Sequence, residues 1–247
     1  MENRLANPAP LGLIAFALTT WLLSMVNSGW YDVKSMSVVL AMALVYGGAV
    51  QAIAGILAYF RGNTFATVAF LSYGAFWLSL VSYLAVFGVA APAGGAAGAA
   101  AAAAPEAAPV TFVGWYLIVW GAFTFYMWIA SFRHNMVLQT LFLALWITFV
   151  LLAVGDWTGW HPVYEAGGYA GLVTAVIAAY LSAAEMINGD YGRTILPVWP
   201  SAQTPAETIG REEIFTEPEA ELRRRPVAAL DAEQEAELRR RAGGTRG

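Results

Sequence analysis

Long apolar stretches separated by short polar breaks run through the first 200 residues. A helix crosses the hydrocarbon core with about 20 apolar residues. Six runs meet that length: 10–27, 35–60, 64–88, 112–132, 136–155 and 166–187. The breaks Arg61-Gly62-Asn63, Arg133-His134-Asn135 and Gly155-Asp156-Trp157 are too polar for the bilayer centre. The pattern predicts an all-α, polytopic membrane protein with six transmembrane helices in residues 1–198. Residues 89–111 are nearly all Ala, Gly and Pro, and Pro92, Pro105, Pro109 and Gly94-Gly95 interrupt any helix there, so a flexible extracytoplasmic loop is expected. Residues 199–247 are polar and charged and read as a cytoplasmic tail, mostly disordered, with capping patterns near Thr216 and Asp231 that would start two short helices.

The first run opens on Asn7-Pro8-Ala9-Pro10-Leu11-Gly12-Leu13. Asn is a favoured N-cap, and Pro8 at the first helical position loses only an N–H that would be orphaned anyway. The free N–H groups that remain at this start form a seat for an anion such as a carboxylate.

Charge adds an orientation. Residues 1–200 hold only five of the thirteen Lys+Arg and seven of the seventeen Asp+Glu, so an apolar body precedes a charged tail. Arg4, Arg61, Arg133 and Arg193 fall on one side of a six-span topology, whereas Lys34, Asp32, Glu106, Asp156 and Glu165 fall on the other. The excess of basic residues on the cytoplasmic side then places both termini in the cytoplasm of a plasma (inner) membrane protein. Trp30, Tyr31, Tyr59, Phe60, Trp115, Tyr116, Trp157 and Trp160 are expected as an interfacial aromatic belt. The N-terminus lacks the basic region and cleavage site of a signal peptide, so the first run is expected to stay as a helix.

Composition narrows the chemistry. The chain is 59% hydrophobic and 12% charged, with a net charge of −4 and no cysteine. No basic surplus points to nucleic acid, and thiolate chemistry is excluded. His134 and His161 have no second histidine at ligand spacing, so no metal is implied. No nucleophile elbow, zinc-protease or phosphate-loop pattern occurs, and the sequence implies neither an enzyme nor a cofactor.

Within the spans, Glu185 is the one clear ionisable candidate: either it takes part in proton coupling, or it snorkels or pairs with Arg193. Thr20, Gln51, Tyr73, Thr124 and Gln139 are among the uncharged polar groups that should face protein or water. Gly47-Gly48 with Ala52 and Gly55, and Gly167-Gly168 with Gly171 and Ala175, place small faces on the second and sixth spans for close packing within a bundle or an oligomer.

Further motifs occur in order: Tyr46-Gly47-Gly48-Ala49-Val50-Gln51 in the second run, Gly62-Asn63-Thr64-Phe65 and Ser72-Tyr73-Gly74-Ala75-Phe76-Trp77 in the third, Trp120-Gly121-Ala122-Phe123-Thr124 in the fourth, Val137-Leu138-Gln139 in the fifth, and Glu185, Asn188 and Gly192-Arg193-Thr194-Ile195-Leu196-Pro197 at the end of the sixth. Together with Asn7–Leu13 they make residues 5–198 resemble the acetate uptake transporter family of succinate–acetate/proton symporters. The resemblance implies a six-helix protomer, often in a hexameric homo-oligomer, with a pore in each protomer that takes up acetate, and sometimes succinate, with protons. It implies a hydrophobic constriction at Phe16, Tyr73 and Leu145, with Ala178 beside it. Asn7, Thr20, Gln51, Tyr73 and Gln139 are then the substrate-binding candidates, and Glu185 the candidate for proton coupling. An apolar ring resists a hydrated ion. The Tyr73 hydroxyl, Thr20 and Gln51 would replace a carboxylate's water, and a protonated acid would pass more easily still. Many relatives carry Glu where this chain has Ala58 before Tyr59. Two alternatives remain open: an uncoupled facilitator of small weak acids, and a non-transporting membrane scaffold.

Overall fold

The computed structural model describes residues 5–87 and 110–200. The six runs become six membrane-length helical spans: Ala9–Asn27, Val33–Phe60, Thr64–Leu84, Thr111–Arg133, Met136–Thr158 and His161–Tyr191. The third helix itself continues to Phe87, and the fourth begins at Val110, so the expected loop loses residues 110 and 111 to a helix. The rest of that loop and the capping patterns near Thr216 and Asp231 lie outside the described residues.

The polar breaks act as caps. Asn63 Oδ1 accepts from Ala66 N at 2.9 Å, and Asn135 Oδ1 accepts from Leu138 N at 2.9 Å, so each satisfies a donor that the helix start orphans. The first span departs from expectation by one residue. Its helix begins at Ala9, Pro8 occupies the cap position without a side-chain bond, and Asn7 Oδ1 accepts from Ala9 N at 3.1 Å. The sixth span is longer at both ends than 166–187, running to 31 residues. Pro162 sits in its first turn, where a missing N–H costs little, and Gly192 stops it in the left-handed region at φ 61°.

The spans close into a ring in chain order. The first packs against the second and sixth, the second against the third, and the fifth against the fourth and sixth. The third and fourth close the ring through aromatic side chains: Phe76 stacks on Tyr116 at 5.8 Å between centroids and meets Trp120 edge-on at 5.3 Å. Tyr116 therefore turns inward rather than joining the interfacial belt, and its hydroxyl lies 2.8 Å from Ser79 Oγ.

Small residues set the close crossings. A Cβ on Gly74 would stand 3.0 Å from Ala52 N and Gly48 O, and one on Gly155 would stand 2.8 Å from Tyr164 Cα. Gly168 and Gly171 lie against Ser28 and Ser24 of the first span. The small faces of the second and sixth spans are thus engaged inside the protomer.

The second span is not one regular helix. A 3₁₀ turn at Val33–Ser35 leads into α-helix at Met36–Met42, a π-helical stretch at Ala43–Val50 and α-helix again at Gln51–Phe60. The i→i+5 bonding of a π stretch is rare and often lies at functional sites. Here it covers the Tyr46-Gly47-Gly48 motif and ends where Gln51 begins.

Candidate functional site

Apolar side chains from several spans pack into one buried cluster inside the ring. Phe16, Tyr73 and Leu145 are 6%, 3% and 5% exposed, and Ala178 is fully buried. Phe16 of the first span meets Tyr73 of the third at 5.8 Å between ring centroids. Tyr73 also contacts Phe123 at 5.3 Å and Phe142 at 6.2 Å. Leu145 lies between Phe142 and Phe149 along the fifth span, and Phe149 meets Phe76 of the third edge-on at 5.5 Å. Side chains from spans one, three and five therefore meet across the ring, and the expected constriction residues share one buried cluster.

Ala178 stands one turn before Ser182 on the sixth span, and Ser182 Oγ donates to Pro10 O at 2.7 Å. That bond draws the sixth span onto the start of the first, where a residue larger than Ala178 would crowd the cluster.

The hydroxyl of Tyr73 has a fixed role. Thr124 Oγ1 donates to Trp120 O at 2.8 Å, so in its 3.0 Å contact with Tyr73 it accepts the phenolic proton. Tyr73 keeps lone pairs but no proton to give.

Three buried polar atoms near this level have no hydrogen-bond partner among the described residues: Thr20 Oγ1, Gln51 Oε1 and Trp77 Nε1. Thr20 is the exception in its class. The other buried threonines, Thr19, Thr124, Thr148 and Thr174, each donate to the carbonyl four residues earlier. Such unpaired buried groups are uncommon in native proteins and call for an explanation. Trp77 was not singled out as a site candidate in the sequence, because one more aromatic in an aromatic-rich span carries no signal. The usable clue was its spacing four residues after Tyr73, opposite the Tyr46-Gly47-Gly48 motif.

The remaining candidates lie elsewhere. Asn7 Nδ2 donates to Glu185 Oε2 at 2.9 Å, so the fold brings the protein's own carboxylate to the first span's start, where a ligand anion was expected. Gln139 is half-buried near the start of the fifth span and donates to His134 O at 3.2 Å, away from the Tyr73 level. No group of three His, Cys, Asp or Glu suited to a metal occurs among the described residues.

Comparison with known proteins agrees with this architecture. A protein-family model described as the GPR1/FUN34/yaaH family matches residues 1–202. The chain is 40% identical over 200 residues to the succinate-acetate/proton symporter SatP of Escherichia coli strain K12, covering 81% of this chain and 98% of that protein. It is 36% identical to acetate permease A of Emericella nidulans, covering 85% of this chain and 71% of the permease. A solved structure described as the bacterial acetate channel SatP superposes with a TM-score of 0.70 at 39% identity, covering 79% of this chain and 99% of that one.

Proposed function

Because the chain belongs to the GPR1/FUN34/yaaH family, we propose that it carries acetate, and succinate or other small carboxylates, across a membrane together with protons, along a path inside each protomer. It is a multi-pass membrane protein with six apolar spans. The observation that carries the reading is the buried cluster shared by Phe16, Tyr73, Leu145 and Ala178 inside a six-helix ring, together with unpartnered buried polar atoms on Thr20 and Gln51. The apolar seal blocks hydrated ions. Thr20 and Gln51 supply the polar contacts a small acid needs in passing, and Ala178 sets the width. In this reading Asn7 and Glu185, joined by a 2.9 Å hydrogen bond, form the polar mouth at one end, and Glu185 exchanges protons with water. Gln139 lies towards an end of the fifth span and acts, in this reading, on the approach to the path.

In this reading the membrane is the plasma (inner) membrane and both termini are cytoplasmic, which the one-sided distribution of basic residues supports. A hexameric homo-oligomer suits the family resemblance. A facilitator without obligatory coupling is the second reading, favoured by one observation: spans one to four contain no Asp, Glu or His. The scaffold alternative loses support because the small faces that would build an oligomer are engaged within the protomer.

Labelled acetate uptake into proteoliposomes, with and without an imposed inward proton gradient, tests the proposal. Gradient-driven accumulation above that of protein-free liposomes, abolished by a protonophore, is expected. Saturable flux that only runs downhill would support the facilitator, and uptake equal to that of protein-free liposomes would overturn transport of acetate.

A further inference from the structure

We propose that Trp77 Nε1–H, the Gln51 amide and the Thr20 hydroxyl form a niche that recognises the neutral, protonated carboxylic acid rather than its anion. This rests on the transport reading and names the chemical species that the path accepts.

The three groups belong to spans one, two and three, which meet at Gly47. A Cβ on Gly47 would lie 2.8 Å from Thr19 Oγ1 and 2.9 Å from Trp77 Cδ1, so Gly47 exists to let Thr19 and the indole approach one another. Cδ1 is bonded to Nε1, which places the indole N–H at that junction. Thr20 follows Thr19 and lies one turn from Phe16. Gln51 lies one turn beyond Gly47, and Trp77 one turn beyond Tyr73. Phe16 and Tyr73 are in contact, so Thr20 and Trp77, each one helical turn further along its span, lie at a similar height, and Gly47, four residues before Gln51, packs against both Thr19 and Trp77. Gln51 and Trp77 are each 1% exposed and Thr20 is 6% exposed, so bulk water does not satisfy them.

Their chemistry is asymmetric. An indole N–H only donates, and the unpartnered Gln51 atom, Oε1, only accepts. A carboxylic acid offers one of each: its carbonyl accepts from Trp77, and its O–H donates to Gln51. A carboxylate offers only acceptors and, with the Gln51 amide in this orientation, would set an anionic oxygen against Oε1. Thr20 takes either role. Tyr73, whose proton goes to Thr124, presents lone pairs that an anion would also meet unfavourably.

The wider setting agrees. Residues 9–27, 35–60, 64–87 and 110–130 contain no Asp, Glu, Lys, Arg or His, so the niche faces no counter-charge from spans one to four. An isolated carboxylate in such surroundings is neutralised rather than held. The balance is simple. A carboxylate takes a proton from water on one side, crosses as the acid and releases that proton to water on the other. One proton moves with each carboxyl group, and no side chain in the niche changes charge. Coupled flux then needs no relay carboxylate within the membrane.

Competition in proteoliposomes containing the full chain tests this. Acetamide is a permanently neutral mimic of acetic acid with a carbonyl and N–H donors; methanesulfonate is a permanent anion. Acetamide is expected to inhibit labelled acetate uptake and methanesulfonate is not. Gln51→Leu should raise the half-inhibitory acetamide concentration about tenfold, the order expected for one lost buried hydrogen bond. Replacing the Trp77 indole N–H with sulfur, by 3-benzothienylalanine at position 77, keeps the shape and should do the same. Inhibition by methanesulfonate without inhibition by acetamide would overturn the proposal in favour of anion recognition. Acetamide inhibition unchanged in both variants would also overturn it, by removing the niche from recognition. If the wild type carries no acetate above protein-free liposomes, the transport reading itself fails, and this inference with it.

Discussion

Thr20 shows what a single residue can report. Its hydroxyl is buried, yet it does not bond the carbonyl four residues back as its buried counterparts do. A Thr20→Val substitution keeps the shape and removes an unsatisfied group, so it should stabilise the protein by about 1 kcal/mol while slowing acetate uptake several-fold. Thermal unfolding in detergent and uptake in proteoliposomes read the two effects; a drop in both would show instead that the hydroxyl has a structural partner. Tyr73→Phe should act differently. Thr124 keeps its bond to Trp120 O, and only the phenol bond is lost, so stability should fall by about 1 kcal/mol in the same melting assay. At this scale the sequence was partly legible. The polarity of Thr20 and Gln51 inside apolar runs was visible, but whether each was satisfied was not, because that depends on rotamer and neighbour. The contact of Glu185 with Asn7, 178 residues away in the chain, was not legible, because it depends on how the first and sixth spans pack.

Elements carry two further expectations. At the crossing of spans two and three, Gly74→Ala would bring a methyl to 3.0 Å from two backbone atoms, neither of which can rotate away. The spans must separate, and overpacking of this kind costs about 1–3 kcal/mol; a lowered thermal midpoint checks it, and an unchanged midpoint would mean that the π stretch adjusts. After the sixth span the chain folds back. Asn188 Oδ1 accepts from Ile195 N at 2.7 Å and Leu196 N at 2.9 Å, its Nδ2 donates to Leu196 O at 2.8 Å, and Tyr180 Oη donates to Pro197 O at 2.7 Å. Asn188→Ala removes three of these bonds and should lower stability by about 2–3 kcal/mol, with faster proteolysis after Arg193 as the local readout. Helix existence was plain from apolar run length. The π stretch was not, because an apolar run around Gly47-Gly48 shows no period that distinguishes a wider turn from a regular one. The C-terminal end of the fifth span and both ends of the sixth moved outward because Gly159, Pro162 and Gly192, rather than the last apolar residue, decide where the helices start and stop.

At the scale of the whole molecule, the charge partition and six runs already implied a bundle, and the ordered motifs implied what it does. The ring order was not legible, nor was its closure between the third and fourth spans, since that junction is made by Phe76, Tyr116 and Trp120 side chains rather than by a small-residue stripe. Tyr116 looks like a belt residue because it follows Trp115, yet it lies about 100° further around the helix and meets Phe76 and Ser79 of the third span. The central claim is that small carboxylic acids cross at the Phe16–Tyr73–Leu145 level. The most direct test is the ratio of labelled succinate to labelled acetate uptake by the Phe16→Ala variant and the wild type in proteoliposomes, each checked as monodisperse before reconstitution. Removing the ring widens the narrowest point, so the ratio should rise about tenfold, equivalent to roughly 1.4 kcal/mol of barrier. An unchanged ratio with acetate uptake retained would place the path elsewhere in the ring.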